Sequence, residues 1–219
     1  MEIAFSRPED FHTHIWFSQE EQAELKTLSV HKQQSSALGR IAAKRAAQQY
    51  HLRSRGKTWP CTALGVRKQV SGKPMLAVEG KIDATVCLAL SHSGALALAG
   101  VEACEKGSLG VDIEQVRDFG VSEIQAFLNA SEWENYQAIP PAEQSRFATV
   151  RWCLKEAGLK AWGTGLREHP KNLSVRETLS GNYQLYRFGK LWGEGWEYPV
   201  PENVTAWDRY VAVAVHLLA

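Results

Sequence analysis

The chain has 219 residues, 25 basic against 24 acidic for a net charge of +1, and 44% hydrophobic residues. That length allows one large domain or two small ones with a real core, and the near-balance of charge argues against bulk electrostatic binding of nucleic acid or of an anionic membrane. Cys61, Cys87, Cys104 and Cys153 form no C-x-x-C pair, so they read as small buried hydrophobes in a reducing compartment rather than a disulfide frame or zinc site.

The first residues carry neither a basic n-region nor an apolar h-region, and the most apolar window, 84–101, is too short and too polar to span a bilayer. A cytoplasmic protein is expected. Met1 to Phe5 reads as a short strand. Ser18 and Glu21 make a capping box that opens a helix to about Leu28. A longer helix is expected over 34–50, with Ala37, Leu38, Ile41 and Ala42 inward and Arg40, Lys44 and Arg45 elsewhere on its surface. A short strand around 63–68 and a turn at Gly72-Lys73-Pro74 follow. The runs 85–90 and 95–101, joined at Ser91-His92-Ser93-Gly94, predict a hairpin buried on both faces.

Leu109 to Glu114 reads as a further strand. Capping boxes at Ser122–Gln125 and Ser131–Glu134 predict two short helices, and Pro140-Pro141 starts a long one. Strand-like runs at 173–176 and 183–188, a Gly/Trp-rich loop over 189–201 and a last strand over 209–218 complete the chain. Each half places a long helix before strands that end in an apolar run. The expected fold is therefore α+β, two similar subdomains over 1–106 and 107–219, although no strict sequence repeat is visible.

The long second helix says most about chemistry. At about 100° per residue, Phe147, Val150, Leu154, Ala157 and Ala161 cover one side. Trp152, Glu156 and Lys160 stack on the far side, with Lys155 at its margin. Gly158 costs about 1 kcal/mol against Ala in a helix, which suggests a close approach to the backbone there. Gly163 can take the left-handed conformation that ends the helix. Alone, Glu156 and Lys160 would be a modest surface pair. Upstream, however, Asp112 and Glu114 alternate on one strand and point to one face. Like charges side by side in a buried strand need a cation between them. With Glu156 they offer three hard oxygen ligands, a set that suits Mg²⁺ and substrate phosphates, and Lys155 and Lys160 lie beside them.

Val111-Asp112-Ile113-Glu114 followed by Trp152-Cys153-Leu154-Lys155-Glu156-Ala157-Gly158-Leu159-Lys160 resembles the signature of Sfp-type 4′-phosphopantetheinyl transferases, in the branch that reads W-x-x-K-E-A. Gly72-Lys73-Pro74 and Ser91-His92-Ser93 resemble that family's upstream motifs, and Gly163-Thr164-Gly165-Leu166 its run after the helix. The resemblance covers about 36–175. It implies a monomeric pseudo-dimer of two similar halves that transfers phosphopantetheine from coenzyme A to a serine of an acyl or peptidyl carrier protein, with Mg²⁺, releasing 3′,5′-ADP. It further implies that Asp112, Glu114 and Glu156 hold Mg²⁺, and that Lys155 and Lys160 contact phosphate, Lys160 at the leaving group. His92 would reach a coenzyme A phosphate, and Lys73, Pro74 and Ser91 would line the adenine and its ribose phosphate. Whether Glu156 or a water acts as base stays open.

The stretch after the first capping box departs from the family, being acidic except for Lys26. Either Lys26, His31 or Lys32 takes over the 3′-phosphate, or that phosphate is held more weakly, and the contact is left unassigned. Carrier choice is expected in 117–144, where Phe119, Phe127, Leu128, Trp133 and Tyr136 offer apolar contacts or core. Two other classes compete, a carrier-binding module without catalysis and a Mg²⁺-dependent nucleotide phosphohydrolase. The intact carboxylates and lysines speak against the first.

Overall fold

In the computed structural model, which describes residues 1–11, 13–164, 167–201 and 210–218, the contacts separate into two compact units, Met1–Lys106 and Gly107–Ala219. The first unit contains β1 (Glu2–Ser6), α1 (Thr13–Trp16), α2 (Gln19–Lys26) and α3 (Val30–Arg55), then β2 (Leu64–Lys68), β3 (Pro74–Val78), β4 (Lys81–Ile82), β5 (Val86–Ser93) and β6 (Leu96–Ala103). The second contains β7 (Ser108–Gln115), α4 (Val121–Phe127), α5 (Ala130–Ala138) and α6 (Pro141–Trp162), then β8 (Leu173–Glu177), β9 (Tyr183–Arg187), β10 (Lys190–Tyr198) and β11 (Tyr210–Leu217). The fold is α+β, as expected.

Both units share one plan. In the second, a five-stranded sheet runs β7-β11-β10-β9-β8, and α6 packs on β7 and β11. In the first, β1-β6-β5 forms one sheet, β2-β3-β4 another, and β3 packs beside β5. α3 lies on β6 and β1. Its alanines explain the close fit: Ala42, Ala43, Ala46 and Ala47 reach the core that Leu88, Ala97, Ala99 and Val101 supply from β5 and β6. β6 is buried along nearly its whole length, as its continuous apolar run predicts.

Several boundaries follow capping chemistry. Ser18 accepts from Glu21 N–H and Glu21 accepts from Ser18 N–H at 3.2 Å each, so the first box stands where it was expected. The other two lie upstream of the expected serines. Asn129 Oδ1 accepts from Glu132 N–H at 3.0 Å, Glu132 returns the bond to Asn129 N–H at 3.0 Å, and Ser131 sits inside the helix donating to Asn129. At α4, Glu123 accepts from Gly120 N–H at 2.9 Å. The expected loop over 189–201 is mostly β10, a correction with a packing cause. A Cβ on Gly195 would stand 2.7 Å from Leu154 Cδ2, and one on Gly193 2.7 Å from the His216 carbonyl. These glycines admit neighbours to a strand; they do not mark a turn. α3 also starts earlier than expected and ends at Gly56, which is left-handed at φ 61°. Of the expected last strand, Arg209 lies outside the described residues, as do Gly165 and Leu166 of the run after α6.

One tie occurs twice. Lys44 of α3 is fully buried, its amine 2.5 Å from Glu21 Oε2 and 2.6 Å from the Trp16 carbonyl. Lys155 of α6 is fully buried, 2.6 Å from Glu132 Oε2 and 2.7 Å from the Phe127 carbonyl. The sequence separations are 23 and 28 residues in both. In each case the carboxylate is the third residue of a capped helix, so one glutamate satisfies a helix N-terminus and a buried amine together. Lys44 is thus an interior group, not the surface charge that was expected. Among the described residues no helix is long and apolar enough to cross a membrane.

Candidate active site

β7 and β11 pair antiparallel, with Gly110, Asp112 and Glu114 opposite Val215, Val213 and Val211. Alternation puts all six on the face that α6 covers. On β11 that face is apolar and joins the core of Val150, Cys153, Leu154 and Ala157. On β7 it is acidic. Gly110 sets the approach, since a Cβ there would lie 1.9 Å from the Ala157 carbonyl oxygen. The helix backbone therefore rests directly on the strand, one residue from Glu156.

α6 is buried over 148–161 except at Trp152, Glu156 and Lys160. This is the stripe that the helical spacing singled out. Lys160 Nζ donates to Asp112 Oδ1 at 2.6 Å and stands 3.9 Å from Glu156 Oε2. Asp112 is 1% exposed, and Glu156 keeps its Oε1 buried without a hydrogen-bond partner. Burial pushes the Glu156 carboxyl above its usual value; Lys160 opposes the rise, and Asp112 and Glu114 add to it. For Lys160 burial works against the charge, but Asp112 and Glu156 outweigh it and hold the amine above the ordinary lysine value. The four groups thus feel one another, and the amine stays charged among carboxylates.

Cys153, expected as a small buried hydrophobe, is sealed in the core of the second unit. Its thiol donates to the Val211 carbonyl at 3.9 Å, and burial first, with Asp112 and Glu114 behind it, pushes it well above the usual thiol range.

Lys155 needs correction. It does not lie beside the acidic cluster, because its amine is held inside by Glu132 and Phe127. Burial pulls it below the ordinary lysine value although Glu132 opposes this. Trp152 packs edge-on to Phe127 at 5.2 Å, beside a cluster that includes Ile124, Leu128 and Ala148. Of the apolar residues in 117–144, Phe127 and Leu128 are core, while Phe119, Trp133 and Tyr136 are partly buried against it. A Cβ on Gly158 would meet Leu185 Cδ2 at 2.9 Å, so the suspected close approach is there. Gly163 ends α6 at φ 83°.

Lys73, Pro74, Ser91 and His92 lie on the first unit, on the adjacent β3 and β5 and the turn before β3. His92 is exposed, and Lys73, Pro74 and Ser91 are half-buried. Lys26, His31 and Lys32 are all exposed.

The donor types on β7 and α6 suit a hard cation. As arranged, with Lys160 drawn onto Asp112, no group of three or more His, Cys, Asp or Glu among the described residues is gathered to hold a metal ion.

Residues 108–214 match the family model of the 4′-phosphopantetheinyl transferase superfamily. The chain is 26% identical over 96 residues to 4′-phosphopantetheinyl transferase psf-1 of Bacillus pumilus, covering 44% of this chain and 40% of that one. It is 29% identical over 96 residues to a 4′-phosphopantetheinyl transferase of Bacillus subtilis, covering 44% and 42%. The match thus spans about two fifths of these curated relatives. Solved structures similar to part of the chain include holo-[acyl-carrier-protein] synthase of Thermotoga maritima, at 20% identity, 51% of this chain, 62% of that one and a TM-score of 0.39. Another is the holo-(acyl-carrier-protein) synthase of Bacillus anthracis in complex with CoA (3′,5′-ADP), at 18% identity, 51%, 96% and 0.39. The resemblance read from Asp112, Glu114 and the helix motif is borne out as far as the match extends: residues 108–214 are similar to the 4′-phosphopantetheinyl transferase superfamily.

Proposed function

We propose that the protein transfers the 4′-phosphopantetheine arm of coenzyme A to a serine of an apo acyl or peptidyl carrier protein, depends on Mg²⁺, and releases 3′,5′-ADP. The observation that carries this reading is the meeting of Asp112 on β7 with Lys160 and Glu156 on α6, within the segment that matches the superfamily. Such transfer needs little covalent chemistry from a protein; positioning and neutralisation of charge do most of it.

Asp112, Glu114 and Glu156 would hold the cation, and the buried, unpartnered Glu156 Oε1 is the atom that favours this assignment. Mg²⁺ bound there would offset the charge of the coenzyme A pyrophosphate. The cation would compete with the Lys160 amine for Asp112, leaving that amine to meet phosphate. Because its neighbours hold it protonated, Lys160 supplies positive charge where the leaving 3′,5′-ADP gains negative charge. Glu156 or a water takes the proton from the attacking serine; burial makes the carboxyl a stronger base, and metal binding would weaken it. Lys155 is left as a tie in the scaffold. Lys73, Pro74, Ser91 and His92 would contact coenzyme A from the first unit, and the enzyme would work as a cytoplasmic monomer.

Incubation with coenzyme A, Mg²⁺ and a purified apo-carrier, read by intact mass, tests the proposal. The carrier should gain one phosphopantetheine, and chelation of the metal should stop the gain. An unmodified carrier with coenzyme A cleaved would point to a phosphohydrolase. No reaction with either would leave a binding module.

A further inference from the structure

Cys87 and Cys104 lie outside the chemistry assigned so far. β5 and β6 pair antiparallel, with Cys87 opposite Glu102 and Val86 opposite Ala103. The Cys104 N–H carries the ladder one step further, bonding to the Thr85 carbonyl at 2.9 Å. Alternation then puts Cys104 on the same face as Glu102 and Cys87. The Cys87 and Cys104 side chains are near enough to act on each other. Both cysteines are half-buried, whereas Cys153 is sealed in the core. Burial, reinforced by Cys87, pushes the Cys104 thiol up to about 12, with Lys73 opposing the rise. Cys104 therefore keeps its proton at neutral pH.

We propose that Cys87 and Cys104 form a redox couple, closed to an intramolecular disulfide across the open end of the β5–β6 hairpin by an oxidant of the peroxide class. In the first step a peroxide oxygen adds to the Cys87 sulfur, giving a sulfenic acid and one water. In the second the Cys104 sulfur attacks that sulfur, the S–O bond breaks, and a second water leaves with the Cys104 proton. Two thiols lose two hydrogens in all, and the peroxide is reduced to two waters. Disulfides in reducing compartments are usually transient and redox-sensing. Here the bond would fix to β5 the short turn Cys104–Lys106 through which the chain leaves β6. The inference does not depend on the transferase reading.

Trypsin gives a direct test, because no lysine or arginine stands between Ile82 and Lys106 and both cysteines fall in one peptide, while Cys61 and Cys153 fall in two others. The intact protein is treated with hydrogen peroxide, denatured in iodoacetamide, digested and weighed. The Ile82–Lys106 peptide should be lighter than its unalkylated form by two hydrogens and carry no label, and dithiothreitol should restore two labels. Cys61 and Cys153 should be labelled throughout. Undiminished labelling of Cys87 and Cys104, or a link from either to Cys61 or Cys153, would overturn the proposal. In Cys104→Ser, peroxide should leave a Cys87 sulfenic acid that dimedone captures. No dimedone adduct at Cys87 would remove it as the sulfur oxidised first.

Discussion

On α6, Lys160 keeps its amine against Asp112 at the margin of the acidic cluster, while Lys155 turns inward to Glu132. The two lysines should therefore fail differently. Lys160→Met keeps the aliphatic stem and the helix propensity. It should lower kcat on the order of 10²-fold, comparable to removing one oxyanion donor, with coenzyme A affinity changed far less. Steady-state kinetics beside a melting curve decides this; intact turnover would reduce Lys160 to a helix pair. Lys155→Met should instead leave the Glu132 carboxylate buried without its cation, a loss of about 3–5 kcal/mol. The melting temperature should fall while kcat per folded molecule changes little. A large kcat loss without a melting shift would return Lys155 to the chemistry. The sequence placed Lys155 at the margin of the functional stripe because helix phase was the only guide. What turns it inward is the capped start of α5, a tertiary contact that no local period reports.

At the scale of elements, the α6–β7 contact decides whether the cluster exists. Gly110→Ala would drive a methyl into the Ala157 carbonyl, a backbone obstacle that cannot rotate away. The variant should lose at least about 3 kcal/mol, the upper end of overpacking costs, and activity with it as Glu156 and Lys160 move off Asp112. Gly39, in the middle of α3, is the control. Nothing lies within 4 Å of a Cβ there, so Gly39→Ala should stabilise by about 0.5–1 kcal/mol. Denaturant titration of both variants checks the pair, and equal effects would deny the close contact. Both long helices, their cores and the stripe of Trp152, Glu156 and Lys160 were legible, because a period near 3.6 survives any tertiary context. The caps at Gly120 and Asn129 were less so: each stands two residues before an S-x-x-[EQ] pattern, at Ser122 and Ser131, and has its own glutamate three residues on, Glu123 and Glu132, so only packing selects between the starts. β10 was hidden for a different reason. Its glycines carry a turn signal in sequence, yet they are there to let Leu154 and the β11 backbone come close.

For the molecule as a whole, stability should depend on pH through His51, which is fully buried at the end of α3. Both its ring nitrogens lack hydrogen-bond partners, with the Trp59 ring 4.7 Å away and Asp83 Oδ2 3.9 Å from Nε2. Burial, helped by Arg55 and opposed by Asp83, holds the imidazole below its ordinary 6.5. The unfolded chain then binds a proton that the folded one refuses. This contribution is complete above about pH 6.5 and falls as pH drops below it, by up to about 1.4 kcal/mol per pH unit until the folded group also titrates. The melting temperature should fall less between pH 7 and 5.5 in His51→Phe than in the parent; parallel curves would show that His51 titrates alike in both states. The coenzyme A reading extends to the first unit, where His92→Ala should weaken coenzyme A by about ten- to a hundredfold, the cost of one charge-assisted bond, with carrier affinity unchanged. Calorimetry with unaltered coenzyme A affinity would make His92 an ordinary surface residue. The tie that joins each capped helix to its long helix has a last consequence. Because Lys44 and Lys155 stand at equal separations from their partners, they index the halves against each other, and the chain becomes its own reference sequence. What recurs at matched positions, lysine, glutamate and the burial around them, is what folding demands of either half. What differs is free of that demand. The residue after the tie is Arg45 in one half, spent on Asp10 and the Phe5 carbonyl, and Glu156 in the other. One turn further on, Gln49 stands where the second half has Lys160. One half kept the frame, and the other also took on the charges.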